Sequence, residues 1–405
     1  MRPQSRVRRL SFQNDCAAQA QKHTQVRLSI KHFVAIIQEK LPHYRAAFFD
    51  ELRAQLASQC VALRVLYSAD SVSRNLPADL PWAVPVKMRC VAGFVWQSVL
   101  AQTRGQDLVI VPQEVKYGAL YVLLVRRYLG RQQKLAFWGH GRNFQTRNPD
   151  SLAERWKRFV SGKVDWWFAY NDLSARIVEN IGFPQERITN VGNAIDTRFL
   201  RSEREKMPDH ELLRVKKELG LSSENIGIFA GGLYPDKRIA FLIEASARVR
   251  ALVSDFELII IGNGPDRHLV EDATRRFPWV HYAGAKNDSE KVPYWAAAKL
   301  LLMPGLVGLV VLDSFALGTP MVTTAFPYHS PEIDYLHNGL NGVIVQDWKN
   351  AEAYAYSIAE LLRDDRKRES LAAKGYEAAG KFTIENMASN FTAGVLRALQ
   401  TPRRK

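Results

Sequence analysis

Residues 226–238 read Ile226-Gly-Ile-Phe-Ala-Gly-Gly-Leu-Tyr-Pro-Asp-Lys-Arg238. The first five are apolar without alternation, the pattern of a strand covered on both faces in a parallel sheet. Gly231 and Gly232 follow, and a backbone without Cβ atoms can approach a ligand closely there. The spacing then predicts a helix capped by Asp236, with Lys237 and Arg238 in its first turn. Cations at that end oppose the helix dipole at roughly 0.3–1 kcal/mol each. An anion beside them offsets that cost, and a diphosphate is the obvious candidate. The alternative is that both side chains extend outward as ordinary surface residues.

The same rhythm continues in both directions. Earlier strand candidates lie at 32–37, 61–67, 87–96, 107–111, 135–138 and 166–170, and later ones at 257–261, 280–283, 300–303, 321–324 and 343–345. Helical patterns of about 10–16 residues separate them, as βαβ units require. The fold class is therefore α/β: two Rossmann-like, doubly wound parallel-sheet domains facing a cleft, with ligands expected at the carboxyl ends of the strands. Residues 1–28 read as a flexible basic extension, 29–200 as a first domain and 201–382 as a second, with 383–405 a helix plus a basic tail. The charged stretch 201–208 breaks the rhythm and suits a linker.

Two further motifs belong to the second half. In Gly305-Leu-Val-Gly-Leu-Val-Val-Leu-Asp-Ser-Phe-Ala-Leu-Gly318, a helix starting near Gly308 places Asp313 on an otherwise apolar stripe. A buried carboxylate needs partners, which the two hydroxyls of a ribose would supply; a structural ion pair is the alternative. The N–H groups of Gly308, Leu309 and Val310 offer a second phosphate cradle. Ile261-Gly-Asn-Gly264 resembles the start of a dinucleotide fingerprint but lacks its third glycine, so Gly262 and Gly264 read as a tight strand-to-helix turn. In the first half, His140 sits between glycines at a strand end, where its ring is poorly shielded. Arg45 follows the first strand and is a candidate to reach the cleft. Asn193-Ala-Ile-Asp196 reads as a turn or a site element, and Ser330-Pro-Glu332 as a helix N-terminus.

The chain has 405 residues, with 56 Lys and Arg against 41 Asp and Glu, a net charge of +15. The hydrophobic share of 47% excludes disordered and fibrous classes. Three cysteines, Cys16, Cys60 and Cys90, form no C-x-x-C pair, which argues against a disulfide framework and a thiolate zinc site. No apolar run is long enough to span a bilayer. The charge is localised: residues 126–163 hold ten cations against Asp150 and Glu154, and much of the remaining excess sits in the two tails. Such a block suits an acidic membrane or another polyanion; a solvated face is the alternative.

Together, Gly231-x-Leu-x-Pro-Asp-Lys237, Gly262-x-Gly264, Gly308-Leu-x-x-x-Asp313, Ala316-x-Gly-Thr-Pro320, Pro331-Glu332 and Asn341-Gly342 resemble the donor domain of retaining GT-B glycosyltransferases of family 4. His140-Gly141 and Asn193-x-x-Asp196 fit the same family. The resemblance covers about residues 30–400 and is most specific across 226–345. It implies a nucleotide-sugar donor, UDP or GDP, held by the second domain, an acceptor held by the first, and a C-terminal helix crossing back to the first. Carried over by position, Lys237 neutralises the diphosphate, Asp313 holds the ribose, His140 meets the donor sugar, and backbone around Ala283 reads the base. Three positions depart from the family pattern: Gly232 stands where Arg is usual, with Arg238 the neighbouring charge; Gly305 stands where the first of two glutamates is usual; and 40–45 replaces the glycine-rich loop.

The reaction this implies is sugar transfer with retention, without a metal, since the chain has no Asp-x-Asp. The acceptor is a saccharide or a lipid-linked saccharide of cell-surface polysaccharide or glycolipid synthesis. The expected location is cytoplasmic, peripheral on the inner membrane face, with segment 117–131 read as an interfacial helix or a core helix. The rival readings are a non-catalytic partner subunit, motivated by Gly305, and a nucleic-acid-modifying glucosyltransferase, for which no recognisable module is present.

Overall fold

The structure is a computed structural model that describes residues 30–68, 80–91, 94–129 and 133–404. The extension 1–28 and Arg131 of the expected interfacial segment lie outside the described residues.

A seven-stranded sheet runs in the order β3-β2-β1-β6-β7-β8-β9. Its strands are β1 His32–Gln38, β2 Val61–Ser68, β3 Ala83–Val86, β6 Leu108–Pro112, β7 Lys134–Gly139, β8 Trp166–Ala169 and β9 Ile188–Asn190. A six-stranded sheet has the order β12-β11-β10-β13-β14-β15, built from β10 Ile226–Ala230, β11 Glu257–Ile261, β12 Val280–Gly284, β13 Leu300–Met303, β14 Met321–Thr324 and β15 Gly342–Val345. The pairings in this second sheet are parallel. Both sheets reverse direction of growth beside a central strand, the doubly wound topology expected from the continuous apolar runs. Every residue of β10, β11, β13 and β14 is buried, as two-sided coverage by helices requires.

By contact, the chain divides into two compact units. One joins residues up to Trp138 with Lys163–Trp167 and Thr392 onward; the other joins Gly139–Gly162 with Phe168–Phe391.

Two local expectations change, and two expected helices take definite bounds. Segment 87–96 is not one strand but an antiparallel pair, β4 Met88–Val91 and β5 Phe94–Gln97. The charged 201–225 stretch is not an extended linker: it carries the end of helix Thr197–Lys206 and then helix Asp209–Leu219, closed by left-handed Gly220. Of segment 117–131, read as an interfacial or a core helix, helix Gly118–Tyr128 buries Ala119, Leu120 and Leu123 and exposes Val125 and Tyr128, and Arg127 makes paired bonds to Asp165 at 3.0 and 2.9 Å. The C-terminal helix runs Ile384–Gln400, and Lys134 Nζ donates to the carbonyls of Ala398 and Leu399 near its end. Among the described residues no helix is long and apolar enough to cross a membrane.

Candidate functional site

The carboxyl ends of β10 and β11 open into two interlocked loops. Gly231 N donates to Ile261 O, Leu233 N to Asn263 O, and Gly262 N to Gly284 O, at 2.9–3.0 Å. A Cβ on Gly262 would stand 1.8 Å from Gly231 O, and one on Gly264 would stand 2.2 Å from Leu233 O. Glycine is obligatory there because backbone occupies the space of a side chain. At Gly232 a Cβ would meet the Tyr234 ring at 2.4 Å, so a side chain there requires Tyr234 to move.

The expected helix start at Asp236 is different. Pro235–Lys237 form one 3-10 turn, Arg238 takes a left-handed conformation at φ 59°, and the helix begins at Ile239. Asp236 caps nothing. Lys237 is 5% exposed, and its ammonium donates to Leu306 O. Burial lowers its pKa from 10.5 to about 8, against the opposing pull of Asp236 and Glu332. Arg238 donates to Pro304 O at 3.0 Å and Trp348 O at 2.6 Å. Its guanidinium lies 3.9 Å from the Phe241 ring centre and 4.9 Å from that of Trp348. Arg238 thus staples loops together and is not presented as a phosphate ligand.

The helix carrying Asp313 spans Val310–Leu317, with Leu309 at its cap and no side chain capping it. Its first N–H groups are left open, as the cradle at Gly308, Leu309 and Val310 requires. Asp313 pairs with Lys291 at 2.6 Å, both largely buried. Lys291 closes the turn Asp288–Lys291, which a capping box of Asn287 and Glu290 fixes. A cavity of about 350 Å³ is lined by Gly231, Gly232, Gly262, Asn263, Lys286, Asn287, Lys291 and Asp313, among others. That volume lies within the usual range of small-ligand sites. The structure therefore brings the paired glycines, Gly262, Val310 and Asp313 together. Ala283 does not line this cavity; the wall comes from the next residues, Ala285, Lys286 and Asn287. Lys286 and Lys291 escape the sequence reading. The capping box Asn287-x-x-Glu290 is the signal that marks their turn.

Gly305 has a steric cause. A Cβ there would lie 2.2 Å from Asp236 O and 2.7 Å from the Lys237 carbonyl carbon. The adjacent Leu306 N donates to Asp236 O at 2.8 Å. The missing carboxylate and the buried Lys237 are two sides of one backbone-to-backbone contact.

Behind this loop, His329 Nδ1 accepts from Val307 N at 2.9 Å, so Nε2 carries the proton and donates to Thr324 O at 2.8 Å. Burial lowers its pKa to about 4. Glu332 is buried and accepts from Asn193 Nδ2 at 2.6 Å, while Tyr335 OH donates to Asn193 O at 3.0 Å. Asp196 caps helix Thr197–Lys206 through Phe199 N.

The remaining first-half residues do not line this cavity. His140 packs edge-on to Tyr170, with ring centres 4.4 Å apart, and is half-buried. Arg45 is 6% exposed, enclosed by Trp138 at 5.3 Å and Tyr44 at 5.4 Å.

Residues 224–364 match the family Glycosyl transferases group 1. The lipopolysaccharide core biosynthesis glycosyltransferase LpsE of Rhizobium meliloti is 32% identical over 151 residues, which is 36% of this chain and 42% of that protein. The O-antigen chain mannosyltransferase B of Escherichia coli is 28% identical over 228 residues, covering 52% and 55%. The chain thus spans about half the length of these relatives. Anabaena HepE, solved with UDP, superposes with a TM-score of 0.66 at 14% identity, over 90% of this chain and all of that one. This likeness shows the fold, the GT-B pair of Rossmann-like domains.

Proposed function

We propose that the chain is a glycosyltransferase that moves a sugar from a nucleoside diphosphate to a saccharide or lipid-linked acceptor. The observation that carries this reading is the glycine-walled cavity at the ends of β10 and β11, inside the segment that matches the family. Asp313 and Lys291 in its wall face the ribose and Lys286 and Asn287 the base; beside it, the open helix start at Gly308–Val310 together with Lys237 stabilises the departing diphosphate. Charge developing on that diphosphate is the main thing the protein has to stabilise. His140 meets the donor sugar, residues 29–200 bind the acceptor and residues 201–382 the donor. Transfer proceeds with retention and without a metal, on the cytoplasmic face of a membrane. The names of LpsE and the mannosyltransferase support a cell-surface saccharide acceptor, and the UDP of HepE supports a nucleotide donor.

A thermal-shift screen across UDP-, GDP- and ADP-sugars tests the reading. A ligand at a hundred times its Kd stabilises by about 2.7 kcal/mol. No shift with any of them at millimolar concentration rejects it. Gly305 favours one second reading, a partner subunit that binds donor without turnover. NMR detection of nucleotide-sugar hydrolysis eliminates that alternative.

A further inference from the structure

Gly231 and Gly232 give the cavity wall no side chain of their own, yet one side chain stands beside them. A carbon added to Gly232 would lie 2.4, 2.8 and 3.6 Å from Cε1, Cδ1 and Cζ of Tyr234. One edge of the phenol ring therefore rests on Gly232, and the hydroxyl, bonded to Cζ, stands close to the same wall. The ring is held from both sides of the chain. Leu233 N donates to Asn263 O at 3.0 Å and Leu233 O accepts from Asp266 N at 2.9 Å. Pro235 follows, and Tyr234 is extended at φ −138°, ψ 162°, the conformation a following proline favours. Tyr234 is 38% exposed, and its hydroxyl has no hydrogen-bond partner among the described residues. Burial and the nearby Asp236 charge raise its pKa above the ordinary phenol value, so near neutral pH it keeps its proton and is a donor. The Lys237 ammonium lies 5.6 Å from the centre of the same ring, within cation–π range.

We propose that Tyr234 is a donor-binding residue whose hydroxyl donates to the diphosphate of the nucleotide sugar, alongside Lys237. The proposal rests on the reading of this cavity as a nucleotide-sugar site and adds a residue to it. With Arg238 committed to the carbonyls of Pro304 and Trp348, the glycine loop needs a second side-chain donor for an anion. Another cation there would repel Lys237, whose pKa burial already lowers to about 8. A hydroxyl makes a charge-assisted hydrogen bond to a phosphate oxygen without that repulsion.

Calorimetric titration of the full chain with UDP and with GDP, in wild type and Tyr234→Phe, tests it. Phenylalanine keeps the ring, its contact with Gly232 and its place beside Lys237, and removes only the oxygen. For whichever nucleotide wild type binds, Kd is expected to rise about tenfold, the effect of losing one hydrogen bond to a charged group. The matching nucleoside, which carries no phosphate, is expected to compete equally well in both proteins. The Tm of the unliganded protein is expected to be unchanged. A Kd in Tyr234→Phe equal to that of wild type overturns this proposal alone. An equal loss for nucleoside and diphosphate also overturns it and makes Tyr234 a packing residue of the wall. Absence of binding of either nucleotide by wild type overturns the reading of the cavity, and this proposal with it.

Discussion

Replacing Gly305 by alanine adds one methyl group where the backbone of residues 236 and 237 already stands. The added carbon would sit 2.2 Å from Asp236 O and 2.7 Å from the Lys237 carbonyl carbon. Neither neighbour is a side chain, so no rotamer change relieves the contact. The two segments must separate, which stretches the Leu306 N to Asp236 O bond and the Lys237 bond to Leu306 O. Overpacking costs about 1–3 kcal/mol, and weakening one neutral and one charged hydrogen bond adds about 1–2 kcal/mol. The expected loss is therefore about 2–5 kcal/mol. For a unit of this size that lowers Tm by roughly 5–15 °C, at about 2–4 °C per kcal/mol. Calorimetry of wild type and Gly305→Ala reads it directly, and Gly305→Glu is expected to be worse. A Tm within 1 °C of wild type for alanine, or a glutamate variant that folds and turns over faster, refutes the reasoning. The second outcome would mean that Gly305 is a lost acid and not a packing requirement.

Three other outcomes follow from the same site. Lys237→Ala is expected to lower turnover by roughly two orders of magnitude, the effect of removing one charge-stabilising donor; near-normal kcat removes Lys237 from the diphosphate. Asp313→Asn is expected to weaken nucleotide binding and to release Lys291, and calorimetry showing unchanged affinity rejects the ribose assignment. His329 has a folded pKa of about 4 against 6.5 in the unfolded chain. Between those values the unfolded state binds more protons, so stability falls as pH drops from 6.5 towards 4. His329→Gln is expected to flatten that part of the profile of urea midpoint against pH, and an unchanged profile assigns the acid loss to other groups.

The second sheet is legible because its strands are continuous apolar runs, and Ile226–Ala230, Glu257–Ile261, Leu300–Met303 and Met321–Thr324 fall where those runs do. The first sheet is less so. Segment 87–96 contains Gly93, a turn signal in the sequence that a single strand passes over, and the described residues on either side pair antiparallel. The helices across 197–219 bury only Thr197, Leu200 and Val215, so periodicity has almost nothing to register. Their caps, Asp196 and Gly220, are the readable marks. Within the site, the glycines are legible because each excludes a Cβ for a local reason. Lys291 is not, because its role depends on a partner 22 residues away across a strand. Arg238 misleads because a left-handed residue after a 3-10 turn points its side chain away from the helix start.

The displaced Arg238 alters the charge argument. With its guanidinium committed to the carbonyls of Pro304 and Trp348, the cations left for an anionic ligand are Lys237, Lys286 and Lys291. Lys291 is half-neutralised by Asp313, and Lys237 is held near pKa 8 by burial. A diphosphate placed beside Lys237 adds the opposing charge that burial lacks, and so raises that pKa again. Donor binding above pH 8 is then coupled to uptake of a proton by Lys237, whereas near neutral pH it is not. The tuning resides in buried Lys237 and one loop contact at Gly305. The +15 of the whole chain, concentrated in residues 126–163 and the tails, has no part in it.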